Sequence, residues 1–154
     1  MDQSFPRAGR RELATAEDTQ AFGAELGRAL RSGDLVILDG PLGAGKTTLT
    51  QGIARGMGVK GRVTSPTFVI AREHTSPSGG PTLVHVDAYR LLDHSSDPLG
   101  ELDALDLDTE LDHAVVVAEW GDGLMEALSE EYLLVSLNRD NDDGSRVIEW
   151  NWVN

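Results

Sequence analysis

A chain of 154 residues is the usual size of one domain and long enough to bury a core, and 40% hydrophobic with 25% charged residues is a globular composition. Against 13 basic side chains stand 26 acidic ones, and the net charge of −13 excludes a protein that grips DNA or RNA with a broad basic surface. The absence of cysteine removes disulfides, thiol nucleophiles, zinc fingers and iron–sulfur clusters.

Residues 1 to 12, with Pro6, Gly9 and several charged groups, read as a loose N-terminal arm. Thr15 followed by Asp18 has the form of a helix cap with an acid three residues on. Phe22, Leu26, Ala29 and Leu30 then recur on one helical face until Ser32-Gly33-Asp34 ends the helix. Leu35 to Asp39 is a short buried strand, followed at once by a glycine-rich turn. Thr48 to Met57 reads as a second helix, with Leu49, Ile53 and Met57 four apart. Thr67 to Glu73 and Thr82 to Tyr89 are expected strands, joined through Ser76-Pro77-Ser78-Gly79-Gly80-Pro81 as a hairpin. Asp97-Pro98 suits a helix start, and a weakly apolar helix is expected through Leu102 and Leu105. Ala114 to Trp120 is a buried strand, and Tyr132 to Asn138 with Ser145 to Val153 form a second hairpin around Asn141-Asp142-Asp143-Gly144. Strands alternating with helices argue for an α/β sheet with a parallel core and antiparallel additions. No apolar run approaches the roughly 20 residues of a membrane span, and Arg10-Arg11 has no apolar stretch behind it, so the expected location is the cytoplasm.

Charge is unevenly spread. Up to residue 86 there are ten basic and eight acidic side chains; from Asp87 onward there are three and eighteen. Between Asp93 and Asp112 eight carboxylates occur without a lysine or arginine, as either a solvated face or a docking face for a basic partner. An RNA would approach the first half, near Arg55, Lys60, Arg62 and Arg72. Lys46 and Lys60 are the only lysines, beside eleven arginines.

Lys46 falls in Gly40-Pro41-Leu42-Gly43-Ala44-Gly45-Lys46-Thr47, which matches the P-loop pattern at every defined position. Glycines let successive backbone N–H groups close around phosphate oxygens where a Cβ would obstruct them. Lys46 supplies a point charge to the outer phosphates, Thr47 a hydroxyl oxygen for Mg²⁺, and the following helix its positive end. With a strand before the loop and a helix after it, the expected ligand is a nucleoside triphosphate. Spacing alone does not separate ATP from GTP.

Such a site needs acids to hold the metal and orient a nucleophile. Asp87 ends Leu83-Val84-His85-Val86-Asp87 and Glu119 ends Val115-Val116-Val117-Ala118-Glu119, both at the carboxyl end of a strand, where open α/β sheets place their chemistry. Either carboxylate can take the metal-side or the water-orienting role. His85 shares a strand face with Asp87 and reads as a packed, hydrogen-bonded histidine. His74, His85, His94 and His113 show no metal-ligand spacing, so no zinc site is expected. Trp150 and Trp152 read as core or sheet surface.

Taken together, Gly43-Ala44-Gly45-Lys46-Thr47-Thr48-Leu49, Thr64-Ser65-Pro66-Thr67-Phe68, His85-Val86-Asp87-Ala88-Tyr89-Arg90-Leu91 and Glu119-Trp120 resemble the TsaE family of small bacterial ATPases, over roughly residues 13 to 153. The resemblance implies an α/β fold of the P-loop NTPase type, a three-layer sandwich whose mixed sheet has a parallel core and antiparallel hairpin additions, with 13–154 as a single ATPase domain. It implies ATP and Mg²⁺ as cofactors, with Gly43, Ala44, Gly45, Lys46, Thr47, Thr48 and Trp120 around the nucleotide. Thr47, Asp87 and Glu119 become the metal-site oxygens, Lys46, Asp87 and Glu119 the catalytic set, and Ser65 to Phe68 a mobile switch. The adenine end would meet Ala16, Thr19 and the hairpin at Gly144.

The implied role is hydrolysis of ATP to ADP and phosphate, slow alone, in support of the threonylcarbamoyladenosine modification beside the tRNA anticodon. The implied partners are the threonylcarbamoyl transferase and its inactive paralogue, with tRNA met only indirectly and neither membrane nor DNA involved. The acidic stretch Glu101 to Asp112 departs from what the resemblance leads one to expect. Two other readings are a small metabolite kinase and a nucleotide-gated module that does not need hydrolysis. In either P-loop reading the Lys46 side chain is expected to face solvent when no nucleotide is bound.

Overall fold

The computed structural model describes residues 1, 4–40, 45–60, 71–87, 113–119, 131–138 and 145–153, with the backbone alone for Ala71, Arg72 and Asp87. Their order is β1 (Ala8–Leu13), α1 (Ala16–Ala29), β2 (Leu35–Asp39), α2 (Lys46–Met57), β3 (Ala71–His74), β4 (Thr82–Asp87), β5 (Ala114–Glu119), β6 (Tyr132–Asn138) and β7 (Arg146–Val153). The expected helix through Leu102 and Leu105, the switch Ser65 to Phe68 and the acidic stretch lie outside the described residues.

The described strands form a seven-stranded sheet in the order β1-β7-β6-β2-β5-β4-β3. Strands β6, β2, β5 and β4 are parallel, whereas β7 and β3 add antiparallel at either side. This is the mixed α/β sheet with a parallel core that the alternating elements predicted. Parallel strands covered on both faces read as continuous apolar runs, and β5 is buried at all six positions. One set of side chains, Val36, Leu38, Val115 and Val117, packs with Leu26, Leu49 and Ile53 of the two helices.

Helix α1 starts where the sequence placed it. The Thr15 hydroxyl accepts from the Asp18 N–H at 3.1 Å, and Glu17 and Asp18 put negative charge at the positive end of the helix. Helix α2 begins two residues earlier than its apolar spacing suggested and stops at Gly58, which holds φ 72°. The two helices meet backbone to backbone. A Cβ on Gly23 or Gly27 would strike the Leu49 or Ile53 carbonyl, and one on Gly52 or Gly56 would strike that of Gln20 or Ala24. Four small residues thus set how deeply α2 sits on α1, and with it the height of the loop that precedes α2.

From Ala8 on, the segment expected to be a loose arm is instead an edge strand. Ala8 to Leu13 pairs antiparallel with Arg146 to Asn151. Alternation of apolar and polar residues is missing from Ala8-Gly9-Arg10-Arg11-Glu12-Leu13, so its strand character is invisible locally. What holds it is Trp150, whose ring lies 5.0 Å from Phe22 and 5.9 Å from Phe5 and whose Nε1 donates to the Pro6 carbonyl at 3.0 Å. Arg11 lies over the same aromatic group. Charged side chains on an outermost strand also discourage pairing with other chains.

Candidate functional site

Three parallel strands deliver their carboxyl ends to one margin of the sheet. Glu119, the last residue of β5, is in register with Leu38 of β2 on one side and with Asp87, the last residue of β4, on the other. The chain leaves β2 at Asp39 and Gly40 and re-enters helical structure at Lys46, so the glycine-rich loop springs from this row beside the end of β5. Gly40 holds φ 150°, and a Cβ there would collide with the Leu137 carbonyl of β6. Gly45 caps α2 in the left-handed region, with φ 103°. Both positions therefore demand glycine, one for space and one for conformation.

Lys46 is 6% exposed, and its Nζ donates to the Gly40 carbonyl at 2.6 Å. The expectation of a solvent-facing ammonium is corrected: the side chain folds back across the base of the loop. The reason is that a buried ammonium needs an acceptor, and the backbone carbonyl at the other end of the loop supplies one. The first turn of α2 has no acidic residue, and its cap makes no side-chain hydrogen bond. Its positive end is thus left uncompensated by the side chains of its own first turn. Thr47 and Thr48 stand half-buried in that turn, while Thr50 is committed to the helix through its hydroxyl on the Lys46 carbonyl at 2.9 Å.

Glu119 is 4% exposed. Its Oε2 lies 3.4 Å from Nε2 of His85, which is wholly buried on the neighbouring strand. His85 is packed as expected, but neither ring nitrogen has a hydrogen-bond partner among the described residues. Its near neighbour among the described side chains is Glu119; the side chain of Asp87, the acid beside which it was singled out, lies outside the described residues. The signal that could have found this pair is the cross-strand register, which one sequence does not display. Arg146 at the start of β7 was also missed. Its Nε lies 3.8 Å from where a Cβ on Gly45 would stand, so a guanidinium flanks the loop.

Of the other candidates, Ala16 and Thr19 lie in the first turn of α1, where Thr19 is buried and its hydroxyl donates to the Thr15 carbonyl. Arg55 and Lys60 are exposed, and Arg55 donates to the Gln20 side chain at 3.3 Å. Gly43, Ala44, Arg62, Trp120 and Gly144 lie outside the described residues, as does the Asp87 side chain. Among the described residues no three His, Cys, Asp or Glu side chains gather as a ready-made metal cage. Mg²⁺ at phosphate sites needs no such cage: it takes one or two protein oxygens and completes its shell with phosphate and water. The Thr47 hydroxyl and the Glu119 carboxylate are hard oxygen donors of that kind and fit it.

A parallel sheet core, a glycine-rich loop leaving its central strand and a lysine opening the next helix define a protein of the P-loop class. A solved Bacillus subtilis protein, YdiB, has the same fold: its TM-score is 0.75 at 28% identity, covering 99% of this chain and 90% of that one. The family model for the threonylcarbamoyl adenosine biosynthesis protein TsaE matches residues 13–148. A tRNA threonylcarbamoyladenosine biosynthesis protein TsaE from Mycobacterium tuberculosis is 55% identical over 146 residues, 94% of this chain and 87% of that protein. Its namesake in Bacillus subtilis is 39% identical over 129 residues, 82% and 75% of the two chains. The chain belongs to the TsaE family, whose members serve threonylcarbamoyladenosine biosynthesis in tRNA.

Proposed function

We propose that this chain binds ATP with Mg²⁺, hydrolyses it to ADP and phosphate, and thereby supports the threonylcarbamoyl transferase of the tRNA modification through nucleotide-dependent binding to that enzyme and its inactive paralogue. The observation that carries the reading is the placement of Lys46 across the base of the loop, its ammonium on the Gly40 carbonyl, where β2 ends in register with a strand that closes on the buried Glu119. An ammonium held by a neutral carbonyl exchanges that acceptor for phosphate oxygens when they arrive, since charge-assisted hydrogen bonds to an anion are the stronger ones.

In this reading the loop residues Gly43, Ala44 and Gly45 present N–H groups to the phosphates, and Lys46 and the start of α2 add positive charge. Thr47, Asp87 and Glu119 supply oxygens to the metal, directly or through water, and either Asp87 or Glu119 orients the attacking water. Mg²⁺ contributes neutralisation of the charge that develops on the phosphates. Thr48 and Trp120 complete the nucleotide surroundings, and Arg146 adds a second cation beside Gly45. With a net charge of −13 the chain is a poor platform for RNA, so contact with tRNA runs through the partner enzymes, in the cytoplasm.

Phosphate release from ATP, measured for the chain alone and with the purified transferase and paralogue, tests this. The expected result is slow release alone, faster release with the partners, and loss of both in Lys46→Ala. Release accelerated by a small-molecule acceptor instead of the partners would replace the reading with a kinase. Partner binding and modification that survive Glu119→Gln without hydrolysis would replace it with a nucleotide-gated module.

A further inference from the structure

We infer, resting on the reading of Glu119 as a site acid, that His85 is the positioning residue of Glu119, holding its carboxylate through a hydrogen bond from Nε2–H to Oε2. Three observations converge on it. His85 is wholly buried, and neither of its ring nitrogens has a hydrogen-bond partner among the described residues. Its Nε2 lies 3.4 Å from Oε2 of Glu119, itself 4% exposed. Strands β4 and β5 are hydrogen-bonded in parallel, with His85 opposite Val117 and Asp87 opposite Glu119, so the ring reaches diagonally toward the end of β5.

A buried imidazole without a partner among the described residues calls for an explanation, because nearly all buried polar groups are hydrogen-bonded. Here the partner is already in reach. A separation of 3.4 Å is just beyond the usual 2.7–3.2 Å of an N–H···O bond, so the bond needs the two atoms to approach by only a few tenths of an ångström. Hydrogen bonds of this kind are commonly long in the free protein and tighten when the site is loaded. The bond fixes Oε2, which leaves Oε1 as the oxygen available to a ligand. It also fixes the ring as the Nε2–H tautomer, since the carboxylate can only accept. A carboxylate left to rotate would present its oxygens to the reacting water in many orientations, whereas one held by a rigid strand-borne donor presents one.

The test separates positioning from packing by which nitrogen is replaced. His85→Gln places its amide N–H near the position of Nε2, whereas His85→Asn places it near Nδ1, and the two differ by one methylene. In the presence of the partner enzymes, His85→Gln is expected to keep kcat within about threefold of wild type. His85→Asn and His85→Leu are expected to lose about 10–100-fold in kcat, the scale for removing an outer hydrogen-bond partner, with KM for ATP unchanged because Lys46 and the loop are untouched. Equal effects of Gln and Asn, or full activity in His85→Leu, would overturn the inference. A second measurement needs no His85 variant. Long-range ¹⁵N–¹H spectra of the nucleotide-free chain should show His85 as the Nε2–H tautomer, with its Nε2 resonance displaced by Glu119→Ala. An Nδ1–H tautomer, or no displacement, would refute the bond. If wild type releases no phosphate under any condition the ATPase reading fails, and the spectra still decide the His85–Glu119 bond by themselves.

Discussion

The ammonium of Lys46 donates to the carbonyl of Gly40 at 2.6 Å, tying the helical end of the glycine-rich loop to its strand end. The lysine therefore has a structural partner before any ligand arrives, and its removal has two separable consequences. Lys46→Ala leaves a carbonyl short of a donor and should destabilise the nucleotide-free chain by roughly 1.5–3 kcal/mol, the cost of losing a hydrogen bond to a charged group. It should also abolish stabilisation by Mg·ATP, which for wild type at about 100 times Kd amounts to about 2.7 kcal/mol. Thermal melts with and without nucleotide read both. Undiminished stabilisation of the variant by Mg·ATP would remove Lys46 from the phosphate site.

The glycines between α1 and α2 lead to a second prediction. Gly56→Ala sets a methyl against the Ala24 carbonyl, and neither backbone can give way cheaply. Overpacking of this sort costs about 1–3 kcal/mol and sometimes more. Gly58→Ala is the control: its φ is 72° but nothing lies within 4 Å of the added Cβ, so only the left-handed backbone is penalised, by roughly 1 kcal/mol. Urea denaturation should rank Gly56→Ala as the more damaging. Because α2 carries Lys46 at its start, Gly56→Ala should also weaken nucleotide affinity, and Gly58→Ala should not.

Trp150 is the residue on which β1 depends. Trp150→Ala removes a buried ring that touches Phe5 and Phe22 and a hydrogen bond to Pro6, and should cost about 3–5 kcal/mol. Hydrogen exchange should show the amides of Ala8 to Leu13 losing protection before those of β2 and β5. Uniform loss across the sheet would show that β1 is held by something other than this tryptophan.

Arg146 gives a prediction about affinity rather than stability. Its guanidinium flanks Gly45, so Arg146→Ala should weaken binding of ATP by roughly tenfold or more, on the scale of about 1.5–3 kcal/mol for a hydrogen bond to a charged group. Binding of adenosine, which carries no phosphate, should not change. Calorimetric titration of the two ligands distinguishes a phosphate contact from a general disturbance of β7.

Much of this was legible from local signals. Thr15 and Asp18 are three residues apart and make their own cap, Gly40 to Thr47 carries its conformational demands in its residue types, and the hairpin between β3 and β4 announces itself in Ser76 to Pro81. What was hidden depends on residues far apart in the chain. The six residues of β1 have no strand pattern because their order comes from Trp150, some 140 positions on. The burial of Lys46 follows from a carbonyl six residues back that the loop must curl to meet. The nearness of His85 to Glu119 needs the register of two parallel strands joined by a long crossover. The same holds for Arg146, brought to Gly45 only once β7 has folded back beside β6.

In the proposed function, nucleotide at this loop governs association with the modification enzymes. The most direct test of this uses the chain as bait in lysate of its own source cell, with and without Mg·ATP, with bound proteins identified by mass spectrometry. The expected result is recovery of the threonylcarbamoyl transferase and its paralogue, increased by Mg·ATP and lost in Lys46→Ala. Recovery of neither protein under any nucleotide condition would contradict it.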